Sequence, residues 1–197
     1  DAKRPVIVAG GGTITAEACA ELVSLAEHIG APVVTTFNGK GAIPEDHDLN
    51  GWYVGSMGST CGNKLASTAD VLLSVGCRFV DWTSGSYKAG ETYSIPPTKL
   101  IQVDIDPAEI AKNYPVETAL LGDAKASLGD LLDAVSELTP AKDYKQSNYY
   151  SEIVDAQAEW YQVQAVRRNS NSSPMTQQRA MTELRKALDR RTIVTAG

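Results

Sequence analysis

Short runs of apolar, mostly β-branched residues recur along the first 140 positions, separated by stretches whose apolar residues repeat every three or four. The runs are Pro5–Ala9, Pro32–Thr36, Val71–Val75, Leu100–Asp104 and Thr118–Leu121. Their near-continuous apolar character is what strands covered on both faces require. Between the first two, Leu22, Val23, Ala26 and Ile29 fall on one helical face, with Thr15 expected as N-cap and Gly30 just past the end. A helix is expected over Thr60–Thr68, and a short one after Pro107, because proline suits the first helical position. A longer one is expected over Ala124–Leu138, with Asp123 as N-cap and Leu128, Leu131, Leu132 and Val135 on one side. Strand and helix alternating at this cadence imply right-handed crossovers. The expected class is α/β: a parallel sheet of five or six strands with helices on both faces.

After Leu138 the pattern changes. Thr139-Pro140 and the polar stretch to Asn148 read as a linker. A helix follows over Tyr149–Arg168, with Ile153, Val154, Ala158, Tyr161 and Ala165 on its apolar stripe, then a break at Asn169–Ser173. A second helix over Met175–Leu188 and a strand opening at Thr192-Ile193-Val194 complete the chain to Gly197. The expected organisation is a Rossmann-like domain over 1–140, a linker and helix over 141–173, and over 174–197 the truncated start of another α/β domain. The chain is thus read as a fragment.

Composition narrows the function classes. With 43% hydrophobic residues in 197 the chain can bury a core, which excludes intrinsic disorder. No run approaches the roughly 18 consecutive apolar residues of a membrane span, and no secretory pattern opens the N-terminus. Cys19, Cys61 and Cys77 are odd in number and lack metal-ligand spacing, so reduced thiols in a cytoplasmic protein and no metal site are expected. The net charge is −6 overall, divided as −9 over residues 1–140 and +3 over 141–197. No concentrated basic face is present, so nucleic acid is not an expected partner.

Open parallel sheets bind ligands at the carboxyl ends of their strands, and four loops there carry unusual residues. The first strand delivers Gly10-Gly11-Gly12, the second Thr35-Thr36-Phe37-Asn38 and Gly39-Lys40-Gly41, the third Gly76-Cys77-Arg78, and the fourth Asp104-Ile105-Asp106. Glycines allow close approach to a phosphate, helix N-termini offer amides to anions, and an arginine supplies a bidentate cation. A nucleotide or dinucleotide is the natural guest; the alternative is that the glycines serve only tight turns. A nicotinamide dehydrogenase is disfavoured. Gly10-Gly11-Gly12-Thr13-Ile14-Thr15 is a defective dinucleotide fingerprint, and the second strand ends without the acid that would hold the ribose hydroxyls.

Taken in order, the loops resemble the central domain of thiamine-diphosphate-dependent enzymes of the acetolactate synthase type. The resemblance runs through Gly10–Gly12, Pro32–Thr36, Gly39–Gly41, Ile43-Pro44 and His47, then Gly55-Ser56-Met57-Gly58 with Asn63. It continues through Ala69–Leu73, Gly76–Phe79, Asp81, Gly85, Val103–Pro107 with Glu109-Ile110, and Gly122-Asp123. Residues 174–197 are similar to the opening of the next domain of such enzymes.

The resemblance implies a full-length enzyme, a transferase or lyase, that uses thiamine diphosphate and magnesium to cleave or join carbon–carbon bonds of 2-keto acids or similar carbonyl compounds. It implies a homodimer or homotetramer in which the remaining domains of the same polypeptide supply the thiamine diphosphate and magnesium sites. No catalytic residue is assigned here, and the chain alone is expected to be inert. In this family the central domain binds FAD, binds ADP, or stays empty. Carried over by residue, Gly11 and Gly12 would face a pyrophosphate, with Thr36, Phe37 and Asn38 beside the dinucleotide. Gly76, Cys77 and Arg78 would hold phosphate and ribose, and Asp104, Ile105, Asp123 and Ala124 would line the adenosine end. The sequence departs from the acetolactate synthase pattern at Met57 (histidine there), Trp82 (arginine) and Val80 (an acid), which puts FAD itself in doubt. A ligand-free spacer and a free-standing adenine-nucleotide-binding module are the alternatives.

Overall fold

A computed structural model describes residues 2–141, 143–189 and 191–195. Arg190 and the terminal Ala196 and Gly197 of the expected 174–197 segment lie outside the described residues. The chain divides into two compact units, Asp1–Gln157 and Ala158–Gly197.

The first unit is built on strands β1 (Pro5–Ala9), β2 (Val33–Thr35), β3 (Asn50–Tyr53), β4 (Val71–Val75), β5 (Lys99–Asp104) and β6 (Thr118–Leu121). All pair in parallel, in the order β3-β2-β1-β4-β5-β6. The four central strands supply the core, with Ile7, Val8, Val33, Leu72 and Val103 fully buried. The helices are α1 (Gly11–Thr15), α2 (Cys19–Ile29), α3 (Thr60–Ser67), α4 (Asp81–Ser84), α5 (Ala124–Leu138), α6 (Asn148–Arg168) and α7 (Gln177–Ala187). Strand order runs outward from β1 to β3 and then returns to β4 on the other side of β1. Right-handed crossovers therefore put α2 on one face and α3 on the other. α2 packs on α5, and α3 lies over β1, β2 and β3.

Five local expectations are corrected. Thr15 does not cap α2: it ends α1, its hydroxyl turns back onto the Gly11 carbonyl at 3.1 Å, and α2 begins only at Cys19, after Glu17 at φ 53°. No helix follows Pro107. Side chains of Asp104 and Asp106 accept the amides of Asp106 and Ala108, locking successive turns, and Ala111 at φ 56° ends them. The unforeseen strand β3 pairs with β2 across a register shift, with Trp52 at φ 66°. A Cβ on its Gly51 would lie 2.7 Å from Val34 Cγ1, so only glycine brings that strand in. On α6 the buried positions are Ile153, Ala156 and Trp160, while Val154 and Tyr161 of the expected stripe face outward. Thr192–Val194 pairs with no strand among the described residues, and Ile193 is exposed.

At the amino ends of the strands, the part of α6 up to Gln157 is tied down by polar contacts. Arg4 Nε and Nη2 donate to the Glu152 carboxylate at 2.9 and 3.0 Å. The Tyr149 hydroxyl donates to the Pro5 carbonyl at 3.2 Å, and Gln157 Nε2 donates to the Asp48 and Asn50 carbonyls. Lys145 pairs with Asp48 in the segment leading into the helix. Asp70 accepts the amides of Lys3 and Arg4 at 2.6 and 2.9 Å. Although burial pushes its carboxyl upward, these amides hold it below the ordinary value. In the second unit, Thr176 caps α7 by accepting from the Arg179 amide and donates to the Arg167 carbonyl at 2.7 Å.

Candidate functional site

The reversal of strand order at β1 and β4 leaves a crevice at their carboxyl ends, the position where parallel sheets bind ligands. A cleft of about 580 Å³ opens there, within the range of small-molecule sites. Of the twelve residues named from the sequence, the fold brings eleven to this cleft: Gly11, Gly12, Thr36, Asn38, Gly76, Cys77, Arg78, Asp104, Ile105, Asp123 and Ala124. Phe37 is excluded. It starts a short 3₁₀ turn over Phe37–Gly39 and points into solvent, 87% exposed. The cleft also takes Ile14, Phe79 and Thr83, whose only signal in the sequence was proximity to the glycine and arginine loops.

The loops after β1 and β4 meet through their glycines. A Cβ on Gly10 would lie 2.0 Å from the Gly76 carbonyl oxygen, and one on Gly12 would lie 2.8 Å from Gly76 Cα. Gly76 itself sits at φ 56°, a conformation that glycine adopts without penalty. The amides of Gly10 and Gly12 donate to the Val75 and Gly76 carbonyls at 2.9 and 3.1 Å, and that of Thr13 donates to the Gly10 carbonyl. Those amides are thus committed to the fold, which corrects the expectation that the whole Gly10–Gly12 turn offers donors to an anion. Thr36 is buried and its hydroxyl accepts the Gly39 amide at 3.1 Å, so it shapes the loop.

Three side chains bring charge to the cleft. Arg78 is exposed at the end of the β4 loop. Asp104, 8% exposed, accepts the Asp106 amide through Oδ1. Asp123 caps α5 by accepting the Ala126 amide at 3.1 Å. The arrangement can hold an anion with the guanidinium and hydroxyl donors with the two carboxylates. Cys77 is no nucleophile: burial pushes its thiol up to about 11, leaving it protonated at neutral pH. Phe79, at φ 50°, is buried against Tyr93 and Tyr114, each ring centroid 5.3 Å away. Met57 and Trp82, two of the departures noted above, are 73% and 67% exposed, and Val80 forms part of the cleft wall.

No helix among the described residues is long and apolar enough to cross a membrane. The sequence pattern described as "Thiamine pyrophosphate enzyme, central domain" matches residues 1–131. The chain is 46% identical over 138 residues to a probable acetolactate synthase large subunit of Methanocaldococcus jannaschii, covering 70% of this chain and 23% of that protein. It is 37% identical over 195 residues to a probable acetolactate synthase large subunit of Methanococcus aeolicus, covering 95% and 31%. With the acetolactate synthase large subunit of Corynebacterium glutamicum it shares 41% identity over 133 residues, covering 68% and 21%. The chain therefore spans between 21% and 31% of the length of these relatives. Matched over two thirds of its length by the family's own pattern, it belongs to the central-domain family of thiamine pyrophosphate enzymes.

Proposed function

We propose that this chain is the nucleotide-binding central part of an acetolactate synthase-like enzyme, and that its strand-end cleft takes an adenine nucleotide. The observation that carries the reading is the convergence of Arg78, Asp104 and Asp123 on one crevice at the strand-order reversal. Arg78 would grip phosphate, Gly11 would let the ligand backbone pass close, and Asp104 and Asp123 would accept ribose hydroxyls. Met57, Val80 and Trp82 replace polar groups that the acetolactate synthase pattern places along a flavin dinucleotide. ADP or another short adenine nucleotide therefore fits better than FAD.

In the full-length protein, thiamine diphosphate and magnesium would supply the carbon–carbon bond chemistry on a 2-keto acid or similar carbonyl compound. No residue of this chain is assigned to holding either. The role of the 1–140 domain is to bind the nucleotide and to connect the domains that do. A homodimer or homotetramer of the whole enzyme belongs to the same reading. Incubated alone with thiamine diphosphate, magnesium and pyruvate, the chain is expected to show no turnover. Activity that co-purifies with it would overturn that part.

A ligand-free spacer is the second reading, favoured by the commitment of the Gly10 and Gly12 amides to the Val75 and Gly76 carbonyls. Titration calorimetry with ADP, FAD and NAD separates the two. Sub-millimolar binding of ADP, at least as tight as FAD, supports the nucleotide site. Failure of all three below millimolar concentration leaves the spacer.

A further inference from the structure

We infer that Asn113, 35 residues from Arg78 in sequence and absent from the cleft lining, is a positioning residue for Arg78. Arg78 lies next to a backbone conformation that needs support, because Phe79 is at φ 50° and the left-handed region is unfavourable for a bulky side chain. Three side chains hold the Phe79 carbonyl. Ser84 Oγ and the Tyr87 hydroxyl donate to it at 3.0 Å each, and Asn113 Nδ2 donates to it at 3.2 Å. Asn113 Nδ2 also donates to the carbonyl of Arg78 itself at 2.9 Å. Ser84 and Tyr87 are local to the loop; Asn113 comes from the segment after β5, 35 residues away.

That segment is itself anchored. Gln102, 2% exposed within β5, donates through Nε2 to the Glu109 carbonyl and accepts the Ala111 amide through Oε1, both at 3.0 Å. Gln102 therefore fixes the turns that present Asn113, and Asn113 fixes the backbone that presents Arg78. The chain of bonds links the β4 loop, which carries the cation, to the β5 loop, which carries Asp104 and Ile105. A side chain held on a fixed backbone loses less freedom when it grips a ligand. Asn113 thus sets how much of Arg78's charge-assisted contact is realised.

The inference rests on the nucleotide reading only in its binding arm. ADP affinity should fall about 3- to 10-fold in Asn113→Ala, the range of one ordinary hydrogen bond. In an Arg78→Ala background the same substitution should change affinity less than twofold, since its effect runs through Arg78. An equal loss in both backgrounds, or no loss in the parent chain, overturns the inference. The ligand-free arm is hydrogen exchange over residues 77–80, which should quicken at least about threefold in Asn113→Ala while the unfolding midpoint stays put. Unchanged exchange there overturns the inference as well. If no nucleotide binds the parent chain, the nucleotide reading fails separately, and the exchange arm alone decides the role of Asn113.

Discussion

At the amino ends of the strands, the fold is closed by charged and hydroxyl side chains: Arg4 on Glu152, Tyr149 on Pro5, Asp70 on two amides, Gln157 on two carbonyls. At the carboxyl ends the loops after β1 and β4 meet backbone to backbone, where Gly10 and Gly12 lean on Gly76 with no space for a methyl group, and side chains such as Thr36, Ser84, Tyr87 and Asn113 brace the surrounding loops. At the amino end these polar side chains are spent on structure. At the other end, close glycine contacts carry much of the packing, and Arg78 and Asp104 line a cleft. The glycine contacts at the open end should therefore tolerate substitution less than the polar contacts at the closed end.

The largest effect should come from the glycine contact. In Gly10→Ala the new methyl would meet the Gly76 carbonyl oxygen at 2.0 Å, so denaturant unfolding should show a loss of about 3 kcal/mol or more. Near-parental stability would mean that the two loops can part. Next in size is Arg78→Ala, which removes a charge-assisted phosphate contact of about 1.5–3 kcal/mol. ADP affinity should fall roughly 10- to 150-fold while the unfolding midpoint holds. Smaller again is Asp70→Asn at the closed end, with an expected loss of about 1 kcal/mol at neutral pH. Because the Asp70 carboxyl is held below its ordinary value, its contribution is complete above that value and disappears as pH falls through the lowered one. The substituted protein should lose less stability on acidification than the parent, and an identical acid profile would count against this role. Smallest is Phe37→Ser. Outside the cleft and exposed, Phe37 should leave ADP affinity within about twofold, and a tenfold loss would put it back at the site.

Much of this was legible in the sequence because strands buried in a parallel sheet advertise themselves. Val71–Val75 coincides with β4, and Leu100–Asp104 falls one residue short of β5, since both runs are mostly apolar and buried. β3 was invisible for the opposite reason. Asn50-Gly51-Trp52-Tyr53 reads as a turn, and its glycine is there to let Val34 in. The helix start at Cys19 was missed because Thr15 looked like a cap while its hydroxyl bonds backward to Gly11. Of the residues named from the sequence, those on loops directly after strands line the cleft, since topology alone sends them to one edge. Phe37 does not line it, because it opens a 3₁₀ turn and lies exposed. Asn113 gave no signal at all, because its role depends on which carbonyl an exposed amide reaches across 35 residues.

The central claim is that this fold binds an adenine nucleotide at its open end and uses its closed end only for structure. Amide hydrogen exchange with and without saturating ADP tests it most directly. The account predicts slowing confined to the loops over residues 10–16, 76–80, 104–105 and 122–124, with the segment 144–157 unchanged. Slowing centred on 144–157, or no slowing anywhere in the presence of ADP, would contradict it.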